Sequence, residues 1–304
     1  MPKVSAIITT FNRAAFLKEA VKSVLNQSFT DLELLILDNS STDNTEEVVR
    51  GFDDDRIRYI KHEPMNIAQA RNLGVREAAG EYVAFLDDDD QWLKDKIGRQ
   101  LEVFASGDEK LGLVYGGYIK MDAQGREFDV RKPVLRGKIL KVLLRQTVPF
   151  TGSASNPMIR KSAIDELGGY NNEVVTGEDW ELYLRLAEKH DIDFTDAPVV
   201  RICSHEGPRL CDRLEEQARL ELMLVERFKY IFEKDRKLMS YYLQRIGGKY
   251  IRVGSMEKGR SYLRQALKVY PLNYIAVLQY LLSILGIRVY QKVHSAYQSA
   301  RDLM

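Results

Sequence analysis

The sequence predicts an α/β fold, a parallel sheet covered by helices, followed by an all-helical C-terminal region. Short β-branched runs alternate with longer helical patterns through the first part of the chain, and after Arg209 the composition shifts to long charged and aromatic helices. The third observation is the polarity of the strand ends. Thr9 to Arg13, Asp38 to Asp43 and Asp87 to Asp90 each follow an apolar run, and ligands of open α/β sheets gather at the carboxyl ends of strands. Residues 1–210 are assigned to the α/β domain, with halves of about 1–106 and 107–210, and residues 211–304 to the helical region, with the boundary near Cys211.

Taken in order, strands are expected at Val4 to Thr10, Leu32 to Asp38, Arg58 to Ile60 and Tyr82 to Leu86. Ala14 to Asn26 carries Phe16, Ala20, Val21 and Val24 close to helical spacing, and Ile67 to Ala79 does likewise through Ala70, Leu73 and Val75. Both helices should lie against the sheet. From Gly107 the pattern changes to Gly-rich strands and longer loops, notably Leu113 to Tyr118 and Pro149 to Ile159. A helix from Glu178 to Lys189 and an apolar strand from Val199 to Ile202 complete the domain.

Composition narrows the function. Lys and Arg number 45 against 44 Asp and Glu, a net charge of +1, so no global field recruits nucleic acid and any attraction to anionic membrane must be local. With only Cys203 and Cys211 there is neither a disulfide framework nor a pair of metal knuckles, the usage expected in a reducing cytoplasm. The apolar stretch after Lys3 ends in polar residues without a cleavage-site pattern and reads as a strand, not a signal peptide.

Phe85-Leu86-Asp87-Asp88-Asp89-Asp90 is the sharpest local signal. Alternate side chains of an extended segment share a face, so Asp87 and Asp89 are expected to point into the crevice and Asp88 and Asp90 elsewhere. Two hard oxygen ligands side by side suit Mg²⁺ or Mn²⁺, which take one or two protein carboxylates and complete their shell with water and phosphate oxygens. The plain alternative is a solvated acidic turn with Asp90 as N-cap of a helix beginning near Trp92. Adjacent carboxylates at the end of a buried strand repel one another, and a cation relieves that repulsion, which favours the metal.

Five segments, in order, resemble the inverting family-2 glycosyltransferases, which have the GT-A fold with its nucleotide-binding, Rossmann-like mixed sheet. They are Val4 to Arg13, Asp38 to Asp43, Asn66 to Gly74, the acidic run, and Gly177-Glu178-Asp179-Trp180, together covering roughly the first two thirds of the chain. One departure is Asn39-Ser40, where many relatives have Asp-Gly, which bears on the turn geometry.

The resemblance implies transfer of a sugar from a nucleotide diphosphate donor to an acceptor hydroxyl with inversion, assisted by Mn²⁺ or Mg²⁺. The first half of the domain would hold the nucleotide and the second the acceptor: a glycan, a lipid-linked molecule or a protein, as in polysaccharide biosynthesis. Thr9 and Phe11 resemble the positions that hold base and ribose, the alternative for Phe11 being simple core. Asp38 resembles the base-reading carboxylate, which favours UDP, or else it caps the turn from Asn39 to Asp43. Arg71 resembles the arginine near base and diphosphate, the alternative being a helix-surface ion pair with Glu77 or another nearby carboxylate. Asp87 and Asp89 resemble the metal and ribose carboxylates.

Such a transfer needs help for the leaving group and a base for the acceptor hydroxyl. Asp179 matches the aspartate of the family's Glu-Asp motif and is the candidate base, with Glu178 second and Trp180 suited to a sugar-binding wall or to the core. Thr176 to Asp179 also resembles a capping box, and the two roles are compatible because a helix N-terminus favours an ionised carboxylate. His205 resembles late histidines that reach metal or diphosphate in some relatives, or it is an ordinary surface or packing residue. Thr151 to Asn156 is expected at the acceptor-side wall.

Two other classes compete. A sugar-phosphate nucleotidyltransferase would carry a Gly-rich phosphate loop near the N-terminus, and Thr9 to Arg13 has no glycine. A nucleotide-sugar-binding module without catalysis has no need of both the acidic run and Asp179.

In the C-terminal region, Gly254, Ala266, Leu267 and Pro271 stand at positions resembling the second helix of a tetratricopeptide unit, with Tyr242 to Val253 as the first. Val269 to Ile287 has no charged residue, yet Pro271, Asn273, Gln279 and Ser283 make it a poor spanning helix. Arg288, Lys292 and Arg301 follow, with Tyr290 and Tyr297. Peripheral contact with the inner face of a membrane, a homodimer through these helices, and packing on the protein's own core all fit this pattern.

Overall fold

The computed structural model describes residues 1–122, 124–145, 150–203 and 213–302. The chain divides into two compact units, Met1–Gly207 and Pro208–Met304. The expected boundary near Cys211 lies outside the described residues.

In the first unit the apolar runs form strands because they are buried on both faces and need no polar alternation. β1 (Val4–Thr10), β2 (Leu32–Asp38) and β4 (Tyr82–Asp87) run parallel through the middle of one half of the sheet, with β3 (Ile57–Lys61) outside β2. β5 (Gln91–Trp92), β6 (Leu111–Met121), β7 (Glu127–Arg131), β8 (Met158–Arg160) and β9 (Asp191–Cys203) complete it in the order β3-β2-β1-β4-β8-β6-β9-β5, with β7 beside β6. β8 is antiparallel to both β4 and β6, whereas β6 and β9 are parallel, so the sheet is mixed. The register sets Thr9 beside Leu37 and Asp87, and Thr10 beside Asp38, so the polar ends of β1, β2 and β4 lie side by side.

The helices are α1 (Ala14–Leu25), α2 (Thr45–Arg50), α3 (Ile67–Glu77), α4 (Lys96–Ser106), α5 (Leu140–Arg145), α6 (Lys161–Glu166) and α7 (Glu178–Lys189). On α1 the core positions are Leu17, Ala20, Val21 and Val24. Phe16, expected against the sheet, is instead exposed beneath the guanidinium of Arg13, 4.9 Å from its ring centre, because Leu17 takes the inward position. α3 begins at a full capping box, Asn66 with Gln69, and stops two residues before the expected Ala79. No helix begins near Trp92. That residue lies in β5, with its indole N–H donating to Ser155 O at 2.8 Å, and α4 starts at Lys96. Ala154 to Asn156 is buried loop, and only Met158–Arg160 at the end of that segment is strand.

The second unit contains α8 (Leu214–Arg227), α9 (Lys229–Phe232), α10 (Arg236–Arg252), α11 (Met256–Val269), α12 (Tyr274–Ile284) and α13 (Ile287–Asp302). α10 and α11 form a helical hairpin whose backbones meet at Gly247 and Gly259: a β-carbon on either would stand 2.9 or 2.7 Å from the other's carbonyl oxygen. Buried Glu221 of α8 ties in α10 through Lys249 at 2.6 Å and Arg245 at 2.5 Å. Among the described residues no helix is long and apolar enough to cross a membrane.

Candidate active site

The crevice begins where β1 ends. Asn12 takes a left-handed backbone, φ 52°, a conformation its short polar side chain tolerates. Its side-chain oxygen accepts from Thr42 N–H at 2.8 Å while its own N–H donates to Ser41 Oγ at 2.9 Å, knotting the β1 and β2 ends together. Thr9 is half-buried, and Phe11 is 52 % exposed, so the core alternative for Phe11 is not realised.

At the end of β2, Asp38 is fully buried. Its Oδ1 accepts from Ser41 N–H at 2.8 Å and its Oδ2 from the Tyr59 hydroxyl, so it braces its own turn. Burial, followed by this contact with Asp38, pushes the Tyr59 phenol well above its ordinary value. Asn39 binds Met65 through both side-chain atoms, accepting from its N–H at 2.9 Å and donating to its carbonyl at 3.2 Å. Ser40 holds a left-handed φ of 64°, a conformation that favours glycine. Its hydroxyl donates to His62 O at 2.6 Å, which offsets the conformational cost of a β-carbon there.

The acidic run follows β4. Asp87 and Asp89 are half-buried, and Asp88 and Asp90 are buried, the alternation expected of the four. Asp88 accepts from Thr10 Oγ1 at 2.8 Å, and Arg13 forks across Asp88 at 3.0 Å and Asp89 at 2.7 Å. Burial lifts the Asp88 carboxyl to about 7, with Arg13 pulling the other way. Asp90 is not a helix cap: it accepts from Ser153 Oγ at 2.9 Å, Ser155 Oγ at 2.6 Å and Cys203 N–H at 2.9 Å, and burial raises its pKa. Thr151 to Asn156 is therefore largely scaffolding. Ser155 Oγ also accepts from Asp87 N–H at 2.9 Å, and the Asn156 amide spans Gly116 and Thr151.

Arg71 of α3 reaches the same place from the other side. It is buried and pairs with Asp87 at 3.0 Å and Glu178 at 2.6 Å. Burial works against its charge, but Glu178 and Asp87 more than offset this and hold its pKa above the ordinary arginine value. Glu77, a suggested partner, pairs with Arg58 instead, because it lies on the exposed last turn of α3. Desolvation raises the Asp87 carboxyl, opposed by Arg71 and reinforced by Asp89 and Asp179. Burial also raises Glu178, again against Arg71.

Gly177, with φ 75°, is the N-cap of α7, and Asp179 is its second residue. The expected capping box from Thr176 does not form, because the chain enters α7 through the left-handed Gly177 and makes no side-chain cap. Asp179 is half-buried, with Oδ1 accepting from Trp180 N–H at 2.7 Å. Trp180 is half-buried, its ring edge-on to Phe150 at 6.5 Å, and its indole N–H is buried with no acceptor among the described residues. His205 lies outside the described residues.

Six carboxyl groups, Asp87 to Asp90 with Glu178 and Asp179, thus collect around two guanidiniums, Arg13 and Arg71. Among the described residues no set of three or more metal-ligating side chains converges. The donor set nevertheless fits a hard divalent cation held by two carboxylates: burial raises Asp87, Asp89 and Asp179 add to it, and a cation there would favour the ionised form. Sequence reasoning missed Arg13 and the Ser153-Ser155 cradle. Arg13 closes the first motif, three residues beyond a strand end, and that placement is the signal that could have singled it out.

The profile of glycosyl transferase family 2 matches residues 5–168. The chain belongs to this family. It is 43 % identical over 108 residues to the GalNAc(5)-diNAcBac-PP-undecaprenol beta-1,3-glucosyltransferase of Campylobacter jejuni, covering 34 % of each chain. The matches span little more than a third of the length of the first curated relatives. Staphylococcus aureus TarS 1-349, solved with UDP-GlcNAc, superposes with a TM-score of 0.66 at 15 % identity, covering 98 % of this chain and 92 % of that one. The mannosyltransferase PcManGT of Pyrobaculum calidifontis, solved with GDP-Man and Mn²⁺, gives 0.59 at 18 % identity, covering 93 % and 80 %. The family-2 chain has the GT-A fold expected of it.

Proposed function

We propose that this family-2 chain transfers a glycosyl group from a nucleotide diphosphate sugar, with UDP as the carrier, to an acceptor hydroxyl with inversion of configuration. The observation that carries the reading is the meeting of Asp87, Arg71 and Glu178 within 3.0 Å contacts, with Asp89 and Asp179 close enough to perturb Asp87. Thr9 and exposed Phe11 flank the same strand ends as a nucleotide platform. Asp38, fully buried and committed to Ser41 N–H and the Tyr59 hydroxyl, supports a preference for uracil through the turn it braces beside that platform.

Asp179 takes the acceptor proton as the acceptor oxygen bonds to the anomeric carbon and the carbon–oxygen bond to the diphosphate breaks. Attack in line from the opposite face needs no covalent intermediate. Arg71 holds Asp87 and Glu178 in place, and Arg13 holds Asp89. Mn²⁺ or Mg²⁺ on Asp87 and Asp89, with His205 a third candidate ligand, supplies neutralisation of charge on the departing diphosphate. Glu178 is the second candidate base, but its carboxylate is committed to Arg71. The similarity to an undecaprenol-linked glucosyltransferase favours a lipid-linked glycan as acceptor.

A panel of nucleotide sugars, scored by thermal shift and by release of nucleotide with and without Mn²⁺, tests the reading. A metal-dependent shift and slow hydrolysis with one UDP-sugar is the expected result. A shift without hydrolysis by any donor would favour a binding module that has lost catalysis.

A further inference from the structure

We infer that the outward face of α12, with the start of α13, seats this chain on an anionic lipid surface. α12 is built inside out. Its most buried positions are small or polar: Ala276 and Ser283 are buried, Ser283 takes hydrogen bonds from Arg260, and Gln279 accepts from Gln244 at 2.8 Å, with Tyr280 and Leu282 packed part-buried beside them. Most of its other large apolar side chains point away. Tyr274, Val277, Leu278, Leu281, Ile284 and Leu285 are all exposed, the last four by more than half. At 3.6 residues per turn they fill one continuous arc of about 120°. A soluble surface helix has the opposite pattern, and an apolar stripe of this kind marks an interaction face.

The charges around the stripe choose its occupant. From Lys258 to Arg301 the sequence has seven Lys or Arg and no Asp or Glu. None of the seven falls between Val269 and Ile287, so the apolar stripe is uncharged and its flanks are purely basic. On α13, Arg288 and Lys292 are exposed one position before the exposed Val289 and Val293, which places cations along the border of an apolar row. A second copy docking by the same face would set these cations against their own equivalents. A bilayer with anionic headgroups offers what the face lacks, apolar depth bordered by negative charge. The helix lies in the interface plane and does not cross it.

The test uses the full chain and no donor, so it stands apart from the proposed transfer. Co-sedimentation with vesicles of phosphatidylcholine alone, and of phosphatidylcholine with a minority of phosphatidylglycerol, should show binding only to the second, weakened by salt. Leu278→Glu with Leu281→Glu should reduce that binding roughly tenfold or more, and Arg288→Glu with Lys292→Glu should do the same. All four side chains are exposed, so the circular dichroism spectrum and melting temperature should not move. Failure to bind either vesicle, or equal binding to both, would overturn the inference. So would a parent dimer that Leu281→Glu converts to monomer, which would assign the face to a second copy.

Discussion

The ends of β2 and β4 both carry carboxylates, and they differ in what surrounds them. Asp38, at the end of β2, meets neutral donors only, a backbone N–H and a phenol, and the turn closes over it. At the end of β4 the carboxylates outnumber their cations among the described residues: Asp90 is satisfied by two hydroxyls and an N–H, but Asp87 and Asp89 share guanidiniums with Glu178 and Asp88. An aspartate with enough neutral donors braces a fold. A cluster in excess of its cations is set up to receive one, and Asp87, raised first by burial and then by Asp89 and Asp179, carries the mark of the difference.

The largest test of this contrast lies at the crowded end. Asp179→Asn should lower turnover by about 10²-fold or more while nucleotide affinity and melting temperature stay near parent values, because its hydrogen bond to Trp180 N–H survives in the amide. If melting falls together with turnover, the residue was mainly structural.

Asp89→Asn should weaken Mn²⁺-dependent nucleotide binding and transfer by about tenfold or more, since several kcal/mol of charge stabilisation depend on the cation. Isothermal titration with Mn²⁺ present, then with a chelator, reads this directly, and full activity in excess chelator would remove the cation from the mechanism.

At the closed end, Asp38→Ala should destabilise the protein by about 1–3 kcal/mol, because Ser41 N–H and the Tyr59 hydroxyl lose their acceptor. It should also flatten a preference for UDP over ADP and CDP. Tyr59→Phe separates the effects: it removes one internal bond, about 0.5–1.5 kcal/mol, and leaves the carboxylate and the preference. Equal binding of all three diphosphates by the parent would show that Asp38 only braces its turn.

The smallest effect is expected at Ser40. Ser40→Gly relieves roughly 1 kcal/mol of left-handed strain and loses a hydrogen bond of about the same worth, so its melting temperature should hardly change. Ser40→Val keeps the strain without the bond and should melt measurably lower. A marked gain for glycine would mean that the hydroxyl contributes little.

The strands β1, β2 and β4 were legible because each is a mostly apolar run ending in polar residues, a pattern that burial on both faces dictates. The burial pattern of the acidic run, Asp87 and Asp89 half-buried against buried Asp88 and Asp90, matches the expected alternation, but β4 ends at Asp87 and a turn, not a strand, sets the last three. What escaped was decided by partners distant in sequence. Trp92 is strand and not helix because β9 pairs with Gln91 and Trp92 and Ser155 takes the indole proton, facts separated from it by more than sixty positions. Phe16 and Leu17 are adjacent and equally apolar, and only the position of Arg13 and the sheet decides which faces in. The cradle of Ser153 and Ser155 under Asp90 has no local signature, since serines in a loop are ordinary.

The crossing of α10 and α11 at Gly247 and Gly259 has its own consequence. Each glycine is the other's clearance, so neither site tolerates a methyl group while the helices keep their spacing. α12 rests on α11 through Leu263, Ala266 and Ala276, so a wedge at the crossing tilts the platform from which the apolar face of α12 is presented. The angle of that face is thus set by two hydrogen atoms at a backbone contact, and a single alanine is enough to reset it.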